Sequence, residues 1–112
     1  MNIENTQAQM RKGILEYCIL LIIARNDAYV QDIINKLRAS KMLVVEGTVY
    51  PLLTRLKNTG LLAYRWEEST QGPPRKYYNI TEQGRQFPQA LETSWEELTT
   101  AIEILKAPHT PQ

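Results

Sequence analysis

Between Ile14 and Ala24 the chain reads ILEYCILLIIA, and this stretch limits every fold open to it. On a helix over residues 7–26, Met10, Ile14, Cys18, Leu21 and Ile22 form one stripe, and Leu15, Ile19 and Ile23 form a second. From Ile14 onward the two stripes cover most of the circumference. A helix that is apolar nearly all round has to be covered on several sides. A chain of 112 residues holds one small domain with one modest core. A partner chain is the economical source of the remaining cover. The bilayer is not: the longest unbroken apolar run, Tyr17 to Ala24, is eight residues, against the roughly 20 that a span needs.

The rest of the chain carries weaker but ordered signals. Asp27 can N-cap a second helix over 28–39, with Tyr29, Ile33, Ile34 and Leu37 inward. KMLVVEG reads as a connector or brief strand. GTVYPLLTRLKNTG, residues 47–60, predicts a third helix over 48–59. Thr48 is its N-cap, Pro51 lies in its first turn and Gly60 is its stop. Val49, Leu52, Leu53 and Leu56 share the inward face. Residues 61–68 alternate: Leu62, Tyr64 and Trp66 point one way, Ala63, Arg65 and Glu67 the other. STQGPP is read as the loop and RKYYNI as the returning strand, which makes a hairpin with a long loop. Tyr78 and Ile80 share its core face, and Tyr77 is left with two placements, covering the hairpin or touching a partner. Thr81 caps a last helix to about Lys106, with Phe87, Leu91, Trp95, Leu98, Ile102 and Leu105 at heptad-like spacing. Pro88 inside it predicts a kink or break near residues 85–87. Residues 107–112 read as a frayed tail.

Charge divides the chain further. The net +1 hides a basic middle. Over residues 33–80, Lys36, Arg38, Lys41, Arg55, Lys57, Arg65, Arg75 and Lys76 face only Glu46, Glu67 and Glu68, a balance of +5 between two acidic ends. Such asymmetry suggests a polyanion partner, although scatter over a solvated surface gives the same sum.

Three helices, a hairpin and a long helix with a seam are the order of a winged helix-turn-helix domain followed by a dimerisation helix. The expected architecture is mainly α with a small β-hairpin: a DNA-binding unit over 1–80, with the wing at 61–80, and a dimer helix over 81–106. In such folds one helix enters the major groove. Here that helix offers Thr48, Tyr50, Thr54, Arg55 and Asn58, with Lys57 at its margin. Arg and Asn can bond base edges in bidentate fashion, and hydroxyls can hold phosphates. Arg75 and Lys76 on the wing are expected to reach the DNA backbone or the adjacent minor groove. Solubility charge on an edge strand is the plainer account of the same two residues.

EGTVYPLLTRLKNTGLL followed by GPPRKYYNITEQG resembles the signature of PadR-type (phenolic-acid-decarboxylase regulator) transcription factors. That signature is a G-T-x-Y-P-x-L-x-R-L helix, then a G-P-x-R-K-Y-Y wing leading into T-x-x-G. The resemblance covers residues 46–84, and the outer helices match by pattern only. Its compact branch keeps one C-terminal helix. The resemblance implies a homodimer that represses transcription at palindromic sites on double-stranded DNA. With the seam, it places Ile14, Leu15 and Ile22 of the first helix and Leu91, Trp95, Leu98 and Ile102 of the last at the dimer interface. It also implies an apolar slot at the dimer centre, where Trp95 would meet a planar aromatic ligand. Met10 and Ile14 would be walls and Glu92 the countercharge to a cation. Trp95 as a dry seam residue is the alternative. Two positions depart from the family pattern: Val30 follows Tyr29 where the family has Gly, and Pro88 interrupts the last helix.

Other functions have less to stand on. The sequence contains no P-loop, no H-E-x-x-H and no Cys/His cluster. The one histidine, His109, is in the tail, and Cys18 sits in the most apolar run. No enzyme, metal or cofactor is expected. A winged-helix dimer that binds protein rather than DNA is the alternative function, and the basic wing and third helix argue against it. MNIENTQAQMRKG lacks the pattern of a signal peptide, and a lone cysteine fits a reducing compartment, so a cytoplasmic location is expected.

Overall fold

The computed structural model describes residues 2–42 and 44–108; Met1, Leu43 in the connector and residues 109–112, with His109, lie outside the described residues. The elements run α1 Ile3–Arg25, β1 Ala28–Tyr29, α2 Val30–Ala39, α3 Glu46–Asn58, β2 Leu62–Ser69, β3 Gly72–Ile80 and α4 Glu82–Lys106. The strands form one antiparallel sheet in the order β1-β3-β2. The chain measures 68 × 33 × 22 Å.

The core lies where α1, α2 and α3 meet the sheet. Leu15, Ile19, Leu20 and Ile23 pack with Ile33, Ile34 and Leu37 of α2 and Val49, Leu53 and Leu56 of α3. Tyr78 and Ile80 close it from β3. Thus the chain itself covers one side of α1. Leu15 is only 3% exposed, which removes it from the expected partner interface. Ile14, Cys18 and Ile22 are half-buried, while Leu21 and Met10 are exposed. The stripe through Ile14 and Met10 is the one still without full cover.

Element boundaries differ from expectation where side chains compete for caps. α1 begins at Ile3 rather than residue 7, because the Asn2 side chain accepts the N–H groups of Glu4 and Asn5 at 3.0 and 3.3 Å. Asp27 does not cap α2. Ala28 and Tyr29 extend the sheet instead, opposite Tyr78 and Tyr77. Helix α2 then starts at Val30, with Tyr29 N–H donating to the Asp32 carboxylate at 3.3 Å. α3 starts at Glu46 after Val45, so Thr48 is not its cap and Pro51 is its sixth residue rather than in its first turn. The proline there forgoes the bond to Gly47 C=O.

Gly60 ends α3 as expected. At φ 85° it is in the left-handed region. Leu61 N–H donates to Leu56 C=O at 2.9 Å and Gly60 N–H to Lys57 C=O at 3.1 Å, the paired bonds of a Schellman stop. α2 ends in the same way with Lys41 at φ 65°. There Met42 N–H donates to Leu37 C=O and Lys41 N–H to Arg38 C=O.

The hairpin is tighter than its sequence suggests. Ser69 pairs with Gly72, so only Thr70 and Gln71 turn, and Pro73 and Pro74 belong to β3 rather than to a loop. Between the Glu67–Arg75 and Ser69–Gly72 pairs, Glu68 faces both prolines, which makes a bulge. β1 reaches only Tyr77, leaving the other edge of β3 open at the prolines. Two residues without N–H are tolerated there.

α4 is one continuous helix through Pro88, with no break at residues 85–87. Its first turn is fixed by Thr81. That hydroxyl donates to Gly60 C=O at 2.7 Å, lies 3.1 Å from Leu61 C=O and accepts Gly84 N–H at 2.9 Å. Gly84 is buried, and a Cβ there would collide with the Leu61 carbonyl and the Ile80 side chain. The carbonyl of this same residue is the one Pro88 leaves without its helical donor. Beyond Pro88 the seam residues Trp95, Leu98, Ile102 and Leu105 are exposed, Leu98 by 57%. No described helix is long and apolar enough to cross a membrane.

Gly84→Ala should destabilise the fold by about 1–3 kcal/mol, the usual cost of overpacking a site that cannot relax. Urea denaturation compared with an exposed control, Ala90→Ser, measures it. A loss below about 0.5 kcal/mol would show that the α4–Leu61 contact yields easily.

Candidate nucleic-acid interface

Burial of Val49, Leu53 and Leu56 turns the opposite side of α3 outward. Tyr50, Thr54 and Asn58 are exposed on it. The other expected contacts are distributed around its margins. Thr48 is half-buried and lines a groove with Arg11, Lys12 and Val44. Arg55 leans toward α1, where its Nη1 lies 2.9 Å from Glu16 Oε1. Lys57 leans toward the hairpin, its Nζ 5.8 Å from the centre of the Tyr64 ring.

Strand alternation separates the two adjacent wing cations. Lys76 lies opposite Trp66, and Tyr78 opposite Tyr64. These four share the face turned toward α3. Lys76 Nζ is 4.5 Å from the centre of Tyr64 and 5.5 Å from that of Trp66. Two ammonium groups, one from α3 and one from the wing, thereby converge on one ring. Trp66 stands edge-on to Tyr64 at 6.1 Å and is 61% exposed. Sequence reasoning put Trp66 on the correct face but did not single it out. The signal was its place at the outer end of an alternating strand, past the reach of the core.

Arg75 is on the opposite face. Its guanidinium lies 5.5 Å from the centre of Tyr29, within a cluster the sequence did not reveal. Tyr77, whose side was open, packs on Tyr29 at 4.5 Å and under Arg65 at 4.4 Å. Arg65 pairs with Asp27 and Glu67, both at 3.0 Å, and Tyr29 Oη donates to Glu67 at 3.0 Å. This side of the sheet is a brace between β1 and the hairpin. Arg65, Asp27 and Glu67 are paired with one another there, while Arg75 is exposed at the rim of the cluster; Lys76 is the wing cation on the side of α3.

The local fields follow from these contacts. The bond to Glu67 raises the Tyr29 phenol above its ordinary value, with burial adding to it. Pairing with Asp27 raises Arg65. Burial raises Tyr78, and burial pushes the Cys18 thiol up, away from the reactive thiolate form. No group of three or more potential metal ligands gathers among the described residues.

A second concavity, about 460 Å³, lies between α1 and α4. Ile14, Phe87, Leu91, Trp95 and Leu98 line it. Ile14, Leu91 and Trp95 lie together along it. Met10 and Glu92 are not among its walls; the carboxylate in the wall is Glu16, and Arg55 lies beside it.

A three-helix core, a helix presented outward at its edge and a hairpin flanking that helix define a winged helix-turn-helix protein. The description "Transcriptional regulator PadR-like family" matches residues 19–90, and the chain belongs to that family. Its members are transcriptional regulators, not enzymes. The chain is 56% identical to a PadR-like transcription factor from Bacteroides fragilis, with 90% of this chain and 98% of that one covered and a TM-score of 0.76. It is 35% identical to a PadR-like regulator from Bacillus cereus, over 89% and 99% of the two chains, at TM-score 0.77. A PadR family regulator from Eggerthella lenta is 28% identical over 95% and 94%, at TM-score 0.84.

The Tyr29–Glu67 bond has a pH signature. A phenol raised in the folded state stabilises fully below its unfolded value, about 10, and that contribution is lost as pH rises through the folded value. The brace should therefore be insensitive to pH between 6 and 9 and loosen only in stronger alkali. In a phenolate absorbance titration, Glu67→Gln should let one tyrosine ionise earlier, and Tyr29→Phe should abolish that difference. Identical titrations of wild type and Glu67→Gln would remove the bond from solution behaviour.

Proposed function

We propose that this chain is a homodimeric repressor that reads palindromic double-stranded DNA with α3 and steadies itself on the backbone with the wing. The observation that carries this reading is the convergence of Lys57 from α3 and Lys76 from the wing on the Tyr64 ring. It makes helix and wing one surface. Beside it, Tyr50, Thr54 and Asn58 offer groups suited to base edges and phosphates. Trp66, exposed next to Lys76, adds an aromatic face for sugar or base. Lys57 and Lys76 supply phosphate contacts, each of which makes binding more salt-dependent. Arg75, on the face of the sheet turned away from α3, is a lesser contact than Lys76.

The exposed stripe Trp95–Leu98–Ile102 on α4, with the half-covered Ile14 of α1, supports the homodimer. A row of large apolar side chains at seam spacing is costly to leave in water. Two copies joined there would carry two recognition helices to successive half-sites, and a dimer lying across a promoter blocks it sterically. The groove beside Trp95 would then face a second copy of itself, which supports a planar aromatic ligand held at the dimer centre.

In anisotropy measurements on a duplex from its own promoter region, Lys76→Ala should flatten the salt dependence by about 0.9 per lost phosphate contact. Arg75→Ala should change it less, and Asn58→Ala should change preference among sequences while leaving the slope intact. Equal binding to promoter and random duplex at about 150 mM salt would sink the DNA-reading proposal. Leu98→Glu with Ile102→Glu should give a monomer by sedimentation and weaken duplex binding at least tenfold; an unchanged dimer would place the interface elsewhere. Titration with planar aromatic cations should quench Trp95 fluorescence in wild type, measured against Trp95→Phe to isolate its signal from that of Trp66.

A further inference from the structure

Arg55 belongs to two surfaces at once. On one side it borders the outer face of α3 with Tyr50, Thr54 and Asn58. On the other it lines the α1–α4 groove with Glu16. Its Nη1 is 2.9 Å from Glu16 Oε1, and the two partners are unequally placed: the Arg55 side chain is 70% exposed and that of Glu16 only 23%. The cation is free to leave the contact, whereas the carboxylate is held by α1 and cannot follow it outward.

We propose that Glu16 is a positioning residue that acts through Arg55, holding its guanidinium against α1 and withholding one cation from bound DNA. This rests on the reading that α3 takes duplex DNA. A pair with one largely exposed partner is weak, so a phosphate within reach competes for Arg55 on near-equal terms. Binding then divides between a clamped form, in which Arg55 neutralises Glu16, and a released form, in which Arg55 makes a further phosphate contact. Glu16 is also part of the groove wall, so the setting of the clamp is exposed to whatever occupies the groove. The ordinary account of this ion pair, a modest tie between α1 and α3, predicts no change in how DNA affinity depends on salt.

The test compares wild type, Glu16→Gln, Arg55→Ala and the double variant, each titrated with the promoter duplex across a salt series. Glu16→Gln keeps the side chain's size and removes its charge. It should tighten binding at low salt and steepen the slope of log affinity against log salt by about 0.9 for each Arg55 released. In the Arg55→Ala background the same substitution should leave the slope unchanged. An unchanged slope in Glu16→Gln, with wild type binding normally, overturns the clamp alone. So does an equal shift in both backgrounds, because that is the general effect of deleting a negative charge near DNA. If wild type shows no salt-dependent duplex binding, the DNA reading falls and takes the clamp with it.

Discussion

The close approach of α4 to Leu61 is the contact on which the rest of the structure depends. Within a few ångströms, the stop of α3 at Gly60, the start of β2, the end of β3 at Ile80 and the first turn of α4 are joined. The Thr81 hydroxyl donates toward the Gly60 and Leu61 carbonyls while accepting Gly84 N–H, and Gly84 has no Cβ to hold the helix away. One small junction therefore sets the angle of the wing relative to α3 and the direction in which α4 leaves. The outward face of α3 and the apolar row along α4 both inherit their geometry from it, which is why a glycine far from either bears on both.

The sheet then divides labour by its pleat. Residues one apart point to opposite faces, so the adjacent pairs Arg75–Lys76 and Tyr77–Tyr78 split. Tyr77 and Arg75 join the brace built on Tyr29, Arg65 and Glu67. Lys76 and Tyr78 face α3. The brace ties the wing to β1 and thus to the start of α2. A wing held on one side can present a cation and an exposed tryptophan on the other without itself being mobile.

Much of this was legible in the chain. Apolar spacing marked four helices, alternation marked β2, and the pairing of GTVYPLLTRL with GPPRKYY marked the family. Errors fell where two local signals competed. Asp27 and Thr48 are good caps in isolation, yet Ala28–Tyr29 pair with β3 instead, and α3 starts two residues before Thr48, at Glu46. Pro88 looked like a break but falls inside one continuous helix. The prolines of the wing looked like loop, but a bulge and an open strand edge remove the need for their N–H groups.

By itself the sequence determined what depends on neighbours within about four residues: the stop at Gly60, the pleat of the hairpin, the cap at Thr81 and the apolar seam of α4. Only the tertiary structure decided which distant group each charge and ring would meet. Arg65 finds Asp27, 38 positions away, and Arg55 finds Glu16 rather than open solvent. Leu15 enters the chain's own core while Ile14, its neighbour, stays half-covered. The physical reason is range. Backbone periodicity and capping act along the chain, whereas ion pairs, ring stacking and burial act through space and exist only once the helices and sheet have packed.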